Sequence, residues 1–264
     1  MSLAIDMVGT KNNSGTYTFN LNFCRYLEKK KFNNKIYIFI SNYYLKDLKI
    51  KNNNITLIGK SNYLNNSFLR LFWMQFILPF ELKRLNIKHL YSPMNYCPLI
   101  LKYSNIRVTL GLHSNLPWAN FNKMPGNIIN KFLIRLFMER SIKLSDKLIV
   151  CSIFAKKEIK QLLKLNNKKI FSINLGLDFN FVKCSKNKNY LKSFNYKNYA
   201  LSILSCTRYH NIINILKAFK LLKSDIKINL RLVLVMQILD KKYYNEIKKF
   251  IDQNFKENEI LIYN

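Results

Sequence analysis

The chain has 264 residues, of which 49% are apolar and 14% aromatic. That is ample apolar surface to offset the entropy of ordering, so a disordered class is excluded and one large or two smaller globular domains are expected. Forty-four Lys and Arg against fourteen Asp and Glu give a formal net charge of +30, a balance that alone would point to nucleic acid or to an anionic membrane surface.

The lysines are scattered rather than gathered in one block, and they accompany heavy use of Asn, Ile, Phe and Tyr, as AT-rich codon usage would produce. No RRM, KH or zinc-finger signature goes with them, so nucleic acid is not an expected partner. Peripheral contact with an anionic membrane is, because each surface cation contributes about 1 kcal/mol there. The five cysteines (Cys24, Cys97, Cys151, Cys184 and Cys206) include no short-spaced pair and no Cys/His cluster, so no metal is expected. The N-terminus lacks the basic and long apolar regions of a signal peptide. The expected compartment is the cytoplasm with reduced thiols. No stretch offers the roughly 18 uninterrupted apolar residues of a spanning helix. The nearest, FLRLFWMQFILPF from Phe68 to Phe80, carries Arg70, Gln75 and Pro79 and reads as a buried core helix in preference to an interfacial one.

In chain order, Leu3 to Met7 is a strand, Gly9 to Gly15 a polar loop, and Tyr17, Leu21, Cys24 and Leu27 recur at helical spacing. The loop brings backbone N–H groups to a helix N-terminus, a natural anion site, although Gly15 could equally serve a turn that needs positive φ. Strands follow at Lys35 to Ser41, Asn54 to Ile58 and Ile87 to Ser92. The apolar helix, from about Ser67 to Leu85 and interrupted near Pro79, lies between the last two. His89, inside its strand, reads as a packed residue. SPMNYCP is a loop fixed by Pro93 and Pro98, and the strand Asn105 to Leu112 ends at His113. A polar residue just past a strand matters because open α/β sheets bind ligands beyond the carboxyl ends of their strands.

Next comes a helix from Asn127 to Leu144, with Ile129, Phe132, Leu133 and Leu136 on one face and Lys131, Arg135 and Glu139 on another. Glu139 with Arg140 marks a solvated face. Strands at Lys147 to Cys151 and Lys169 to Ile173 flank a helix from Phe154 to Leu165, for which Ser152 is a candidate cap, and Gly176 serves a turn. Apolar runs alternating with helices indicate a parallel sheet covered on both faces. Periodicity fails from Asp178 to Asn198, a linker. It resumes with strands at Ala200 to Ser205, Asn229 to Val235 and Ile260 to Tyr263, and helices at Asn211 to Lys223 and Asp240 to Phe255.

SDKLIVCSIFAKKEI followed by KKIFSINLGLD, TLGLHSNLPW, YSPMN with Pro98, and SCTRYHNIINILKAFKLL occur in this order over nearly the whole chain. Together they resemble retaining family-4 glycosyltransferases. The resemblance implies the GT-B fold: a Rossmann-like N-terminal domain over residues 1–178 on the acceptor side, a linker at 179–198, and an incomplete Rossmann-like nucleotide-sugar domain at 199–264. It implies transfer of a sugar from a nucleotide-sugar donor to a glycan or lipid-linked acceptor with retention, in surface polysaccharide synthesis, with no metal or other cofactor.

In that family His113 corresponds to a strand-end histidine that contacts the transferred sugar, and Gly15 and Ser152 fall at the cleft. The family places an Arg and, a few residues on, a Lys on donor phosphates; here His210 is at the Lys position and Ser205 is nearest the Arg position, with Arg208, off the usual spacing, as the substitute that reaches into the same cleft. The family's paired glutamates have no counterpart before Asn264, so a truncated, non-catalytic binding or scaffold protein is the alternative expectation.

Overall fold

The computed structural model describes residues 2–9, 15–124, 126–165, 169–176, 198–225 and 230–264. The chain divides into two compact units. One is Met1–Trp118 with Phe132–Asp178, the other Ala119–Lys131 with Phe179–Asn264.

The first unit is built on a seven-stranded parallel sheet. Its strands are β1 (Leu3–Met7), β2 (Ile36–Ser41), β3 (Ile55–Lys60), β4 (His89–Ser92), β5 (Arg107–Leu112), β6 (Lys147–Val150) and β7 (Ile170–Ser172), in the order β3-β2-β1-β4-β5-β6-β7. Every neighbouring pair is parallel, for example Ile5 opposite Ile38 and Leu110 opposite Leu148. Helix α1 (Gly15–Glu28) joins β1 to β2. Helices α2 (Ser67–Phe72) and α3 (Leu78–Arg84) join β3 to β4, linked without a break by a π turn, Trp73–Ile77. The short α4 (Leu116–Ala119) and the long α5 (Ile128–Leu144) lie between β5 and β6, and α6 (Ile153–Leu163) between β6 and β7.

Crossovers between parallel strands are right-handed, so the direction of travel across the sheet selects the face each helix covers. β1 to β2 moves one way, whereas β3 to β4, β5 to β6 and β6 to β7 all move the other. Accordingly α1 packs Cys24 and Leu27 on Ile5, Met7, Ile36 and Ile38. The opposite face holds the larger core, where Trp73, Met74, Leu78, Leu82, Met138, Ile142 and Ile159 cover Ala4, Leu90, Leu110, Leu148 and Val150.

Two expectations about faces need correction. The segment 68–80 is not buried all round. Trp73, Met74 and Leu78 enter the core, but Phe72 is 52%, Phe76 58% and Phe80 75% exposed, because residues four apart align on the helix side away from the sheet. Pro79 does not end the helix: the interruption near it is the π turn Trp73–Ile77, and α3 continues to Arg84. On α5 the side carrying Ile129, Phe132, Leu133 and Leu136 is exposed, and the buried residues are Met138, Ser141 and Ile142. The amphipathic periodicity there reported a stripe without telling which way it faces.

The second unit carries three parallel strands, β8 (Tyr199–Cys206), β9 (Arg231–Ile238) and β10 (Ile260–Tyr263), in the order β10-β9-β8. Helices α7 (Ile212–Asp225) and α8 (Lys241–Asn254) connect them, burying Leu216, Phe219, Tyr243 and Ile247 against Leu232, Leu234 and Met236. Strand β9 runs on through Met236 to Ile238. The expected linker at 179–198 lies outside the described residues save for Asn198.

Candidate functional site

The carboxyl edge of the seven-stranded sheet is held by polar groups that look out of place in an apolar helix. Arg70 of α2 reaches Asp6 of β1 through Nη2 (2.5 Å) and donates from Nε to the Val8 carbonyl (2.8 Å). It also lies against Trp73 (5.1 Å from guanidinium to ring). Asp6 is completely buried; desolvation pushes its carboxyl pKa up, and the Arg70 charge opposes that shift. Next to this pair Gly9 has φ +80 and its amide donates to Ser41 Oγ (3.1 Å); a Cβ there would come within 2.8 Å of Arg70. The chain leaving β1 is thereby anchored. Residues 10–14 of the expected anion-binding loop lie outside the described residues.

Gln75, in the π turn, performs a similar service for the SPMNYCP loop. Its Nε2 donates to the Cys97 carbonyl (3.2 Å) and its Oε1 accepts from the Leu99 amide (2.8 Å). Ser141 Oγ accepts from the Cys97 amide (3.1 Å), and Ser92 Oγ donates to the Tyr96 carbonyl. At the centre of the loop Asn95 adopts φ +65; its amide donates to the Gly111 carbonyl (3.1 Å) and its side-chain oxygen accepts from the His113 amide (2.7 Å). Gly111 is required here, since a Cβ would meet the Pro93 backbone at 2.9 Å.

His113 is therefore fixed at its backbone. Its ring packs edge-on against Phe19 of α1 (4.8 Å) and its Nδ1 lies 3.4 Å from Cys151 Sγ, at the end of the neighbouring strand β6. Nε2 is shielded from solvent and has no hydrogen-bond partner among the described residues. Burial lowers the imidazole pKa below its ordinary value, weakly opposed by the Pro93 backbone, so the ring is neutral at pH 7. Burial likewise raises the Cys151 thiol, which stays protonated. The Cys151 thiol also reaches the Leu112 carbonyl (3.9 Å), so the roles at Nδ1 follow the tautomer; in the tautomer where the thiol donates to Nδ1, the ring proton is on Nε2 and that atom is a donor. A cavity of about 820 Å³ opens against the ring, lined largely by apolar side chains including Phe19, Phe23, Tyr91 and Ile149.

Ser152 follows Cys151 directly, and its Oγ accepts from the Ala155 amide (3.0 Å), capping α6. Gly15 is the first residue of α1; its φ is not positive and a Cβ would meet nothing within 4 Å, so a strained turn is not the reason for glycine there. The same holds for Gly176, which lines the cavity.

Arg208 and His210 belong to the second unit, in the turn after β8. Arg208 pairs with Glu246 (2.5 Å) and more distantly with Asp240 (3.9 Å), and lies 5.1 Å from the Tyr243 ring. His210 Nδ1 sits 2.6 Å from the Ser205 carbonyl oxygen, and Asn211 turns the chain with φ +53. Among the described residues no group of three or more His, Cys, Asp or Glu is placed to hold a metal ion.

Sequence reasoning reached His113 and missed what holds it. Asn95 had a signal in the YSPMN motif. Cys151 had one too, since it ends the strand that follows β5 in the chain. Arg70 and Gln75 had none beyond being polar in an apolar run.

A search of curated protein sequences gave no match. Among solved structures the chain is similar to Anabaena Alr3699/HepE in complex with UDP (10% identity, 99% of this chain and 68% of that one, TM-score 0.63). It is also similar to the apo lipopolysaccharide outer core galactosyltransferase WaaB (13%, 100% and 68%, TM-score 0.58) and to the UDP-GlcNAc 2-epimerase of Methanocaldococcus jannaschii (15%, 99% and 73%, TM-score 0.54). At such identities the likeness establishes the fold, GT-B, and since an epimerase shares it, the fold alone does not choose a reaction. The model of Glycosyltransferase Family 4 matches residues 14–181, more than half of the chain. By that match the chain belongs to glycosyltransferase family 4.

Proposed function

We propose that the protein moves a sugar from a nucleotide-sugar donor to a glycan or lipid-linked acceptor, with retention and without a metal, in surface polysaccharide synthesis. The observation that carries this reading is His113: a neutral, half-buried imidazole past the end of β5 that lines an 820 Å³ cavity and whose Nε2 has no hydrogen-bond partner among the described residues. A neutral Nε2–H donor suits a sugar hydroxyl, where a charged imidazolium would favour an anion. Gly15 and Gly176, which the fold itself does not require to be glycine, suit close backbone approach of a ligand. Acceptor binding is assigned to residues 1–178, and the donor's diphosphate to the turn carrying Arg208 and His210 in residues 199–264. The UDP bound by HepE makes UDP-sugars the first donors to test.

Peripheral attachment to the inner face of the membrane is part of the same proposal. Among the described residues no helix is long and apolar enough to cross a membrane. Phe68, Phe72, Phe76 and Phe80 nevertheless form an exposed stripe that ends at the exposed Lys83 and Arg84, the pattern of a helix lying in an anionic interface.

A second reading, binding without catalysis, is favoured by Arg208, whose guanidinium is already engaged by Glu246 and Asp240. A panel of nucleotide sugars assayed for binding by calorimetry and for hydrolysis or transfer by nucleoside diphosphate release separates the two. Binding with turnover supports transfer, binding alone supports the second reading, and neither would sink both.

A further inference from the structure

Among the described residues, the face of the large sheet that carries α1 is only half covered. The crossover directions send α2, α3, α5 and α6 to the opposite face, so β4 to β7 have no described helix on this side. Parallel sheets are as a rule covered on both faces. What lies open is a trough beside α1, running from Ser2 and His89 at the amino edge of the strands to His113 and Cys151 at their carboxyl edge. Its floor is Tyr91, Thr109, Gly111 and Ile149, and beyond them Phe171 is 45% and Ile173 56% exposed.

The amino edge of this face is cationic. Strand alternation puts Arg107 and Lys147 on the side of Thr109, Ile149 and Cys151, and Lys169 immediately precedes β7; all three are exposed, and none has an ion-pair partner among the described residues. Of the acids nearest in sequence, Asp146 is held by the Val108 amide and Glu28 accepts from the Lys51 amide. The complementary occupant is therefore apolar along one side and acidic at one end.

Its shape is fixed as well. The floor strands β4, β5, β6 and β7 hold four, six, four and three residues, so the trough is about 10–20 Å long at roughly 3.3 Å per residue, which a helix of about 7–13 residues spans at 1.5 Å per residue. Run antiparallel to the strands, as α1 is, that helix brings its negative C-terminal end over the three cations. A membrane cannot enter a recessed trough between a helix and a sheet. A second copy of a chain with net charge +30 would bring cations to cations.

We propose that this face docks an acidic amphipathic helix of a partner protein, its apolar side on Tyr91, Ile149 and Phe171 and its carboxylates on Arg107, Lys147 and Lys169. The test uses the full chain and two dye-labelled designed 18-residue helices, both leucine-rich along one side, one with Glu and one with Lys in its last two turns. The measurements are fluorescence anisotropy in about 0.1 M salt, where surface charges a few ångströms apart still interact, sedimentation velocity, and binding to anionic vesicles. The proposal requires the Glu helix to bind at least tenfold more tightly than the Lys helix. It also requires Lys147→Glu/Lys169→Glu to reverse that order while the tryptophan emission stays unchanged, and Ile149→Lys to weaken both helices. Equal binding of the two helices, an order unmoved by the charge reversal, or no binding would overturn it. So would self-association or vesicle binding that the Ile149→Lys variant abolishes. The trough includes the cavity read above as the sugar site, so a docked helix and a bound sugar exclude each other there; helix binding is measured without nucleotide sugar, so its failure leaves the transfer reading standing and a failure of transfer leaves the helix readouts standing.

Discussion

Replacing Arg70 by Met tests how the carboxyl edge of the sheet is held. The substitution keeps much of the aliphatic volume against Trp73 and removes both the Nη2–Asp6 pair (2.5 Å) and the Nε–Val8 bond (2.8 Å). Asp6 is left fully buried with only the Val8 amide (3.3 Å) as partner. Removing one member of a buried pair costs about 3–5 kcal/mol, most of it the uncompensated charge left behind. Both tryptophans, Trp73 and Trp118, lie in the first unit, so urea unfolding followed by tryptophan emission reports that unit. At a slope of about 2 kcal/mol/M the midpoint falls by about 1.5–2.5 M.

The pH dependence has a definite sign. Asp6 has its folded pKa raised, so the folded state holds the proton more tightly and stability declines as pH climbs from the ordinary carboxylate range through the folded value. Without Arg70 the folded value rises further. The deficit of the variant is therefore smallest near pH 4 and grows toward neutrality. Asp6→Asn combined with Arg70→Met should recover most of the loss, leaving about 1–2 kcal/mol for the remaining polar groups. A deficit independent of pH, or a double variant as unstable as the two single losses added, would refute this account of the anchor.

Gln75→Leu strips both partners from the SPMNYCP loop and leaves the Cys97 carbonyl and Leu99 amide unpaired. It should cost about 2–4 kcal/mol and accelerate hydrogen exchange at Leu99. At Cys151 the raised thiol pKa makes alkylation by iodoacetamide slow at pH 7 and faster as pH rises, whereas Cys24 and Cys97, pushed up to about 12, stay inert in the native state. Rapid modification of Cys151 at pH 7 would mean that His113 is charged. Phe72→Ser/Phe76→Ser should reduce sedimentation with anionic vesicles at least tenfold and leave tryptophan emission as it was; unchanged sedimentation removes that stripe from the membrane proposal.

The course of the backbone was largely legible in the sequence. Strands β1 and β10 appear with the limits their apolar runs suggest, and every helix of ten residues or more falls within two residues of its periodic segment. Facing was less legible. In 68–80 both sides of the helix are apolar, so periodicity carried no information about which three residues, Trp73, Met74 and Leu78, would meet the sheet. Five Phe and Leu residues pointed outward where a core was expected. The site divides in the same way. His113 could be found because it ends a strand, a local fact. Its setting is non-local: Arg70 lies 62 residues from Val8, and Cys151 38 from His113. Such contacts appear only once the strand order is known, and a loop hydrogen bond such as Asn95 to His113 leaves no periodic trace at all.

The central claim is that the neutral Nε2–H of His113 serves sugar transfer. It is tested most directly by comparing His113→Ala and His113→Gln with the unaltered protein, using the best nucleotide sugar from the panel and following release of nucleoside diphosphate from pH 5.5 to 8.5. The account predicts that the unaltered protein is active over this range with no loss until the pH falls below the ordinary histidine value, as the lowered pKa requires. It predicts that His113→Ala loses activity about 100-fold or more, in the range of a single transition-state hydrogen-bond donor, while nucleotide binding is retained, and that His113→Gln, which keeps a donor, recovers part of it. Full activity in His113→Ala, or activity that falls as the pH rises through 6.5, would contradict it.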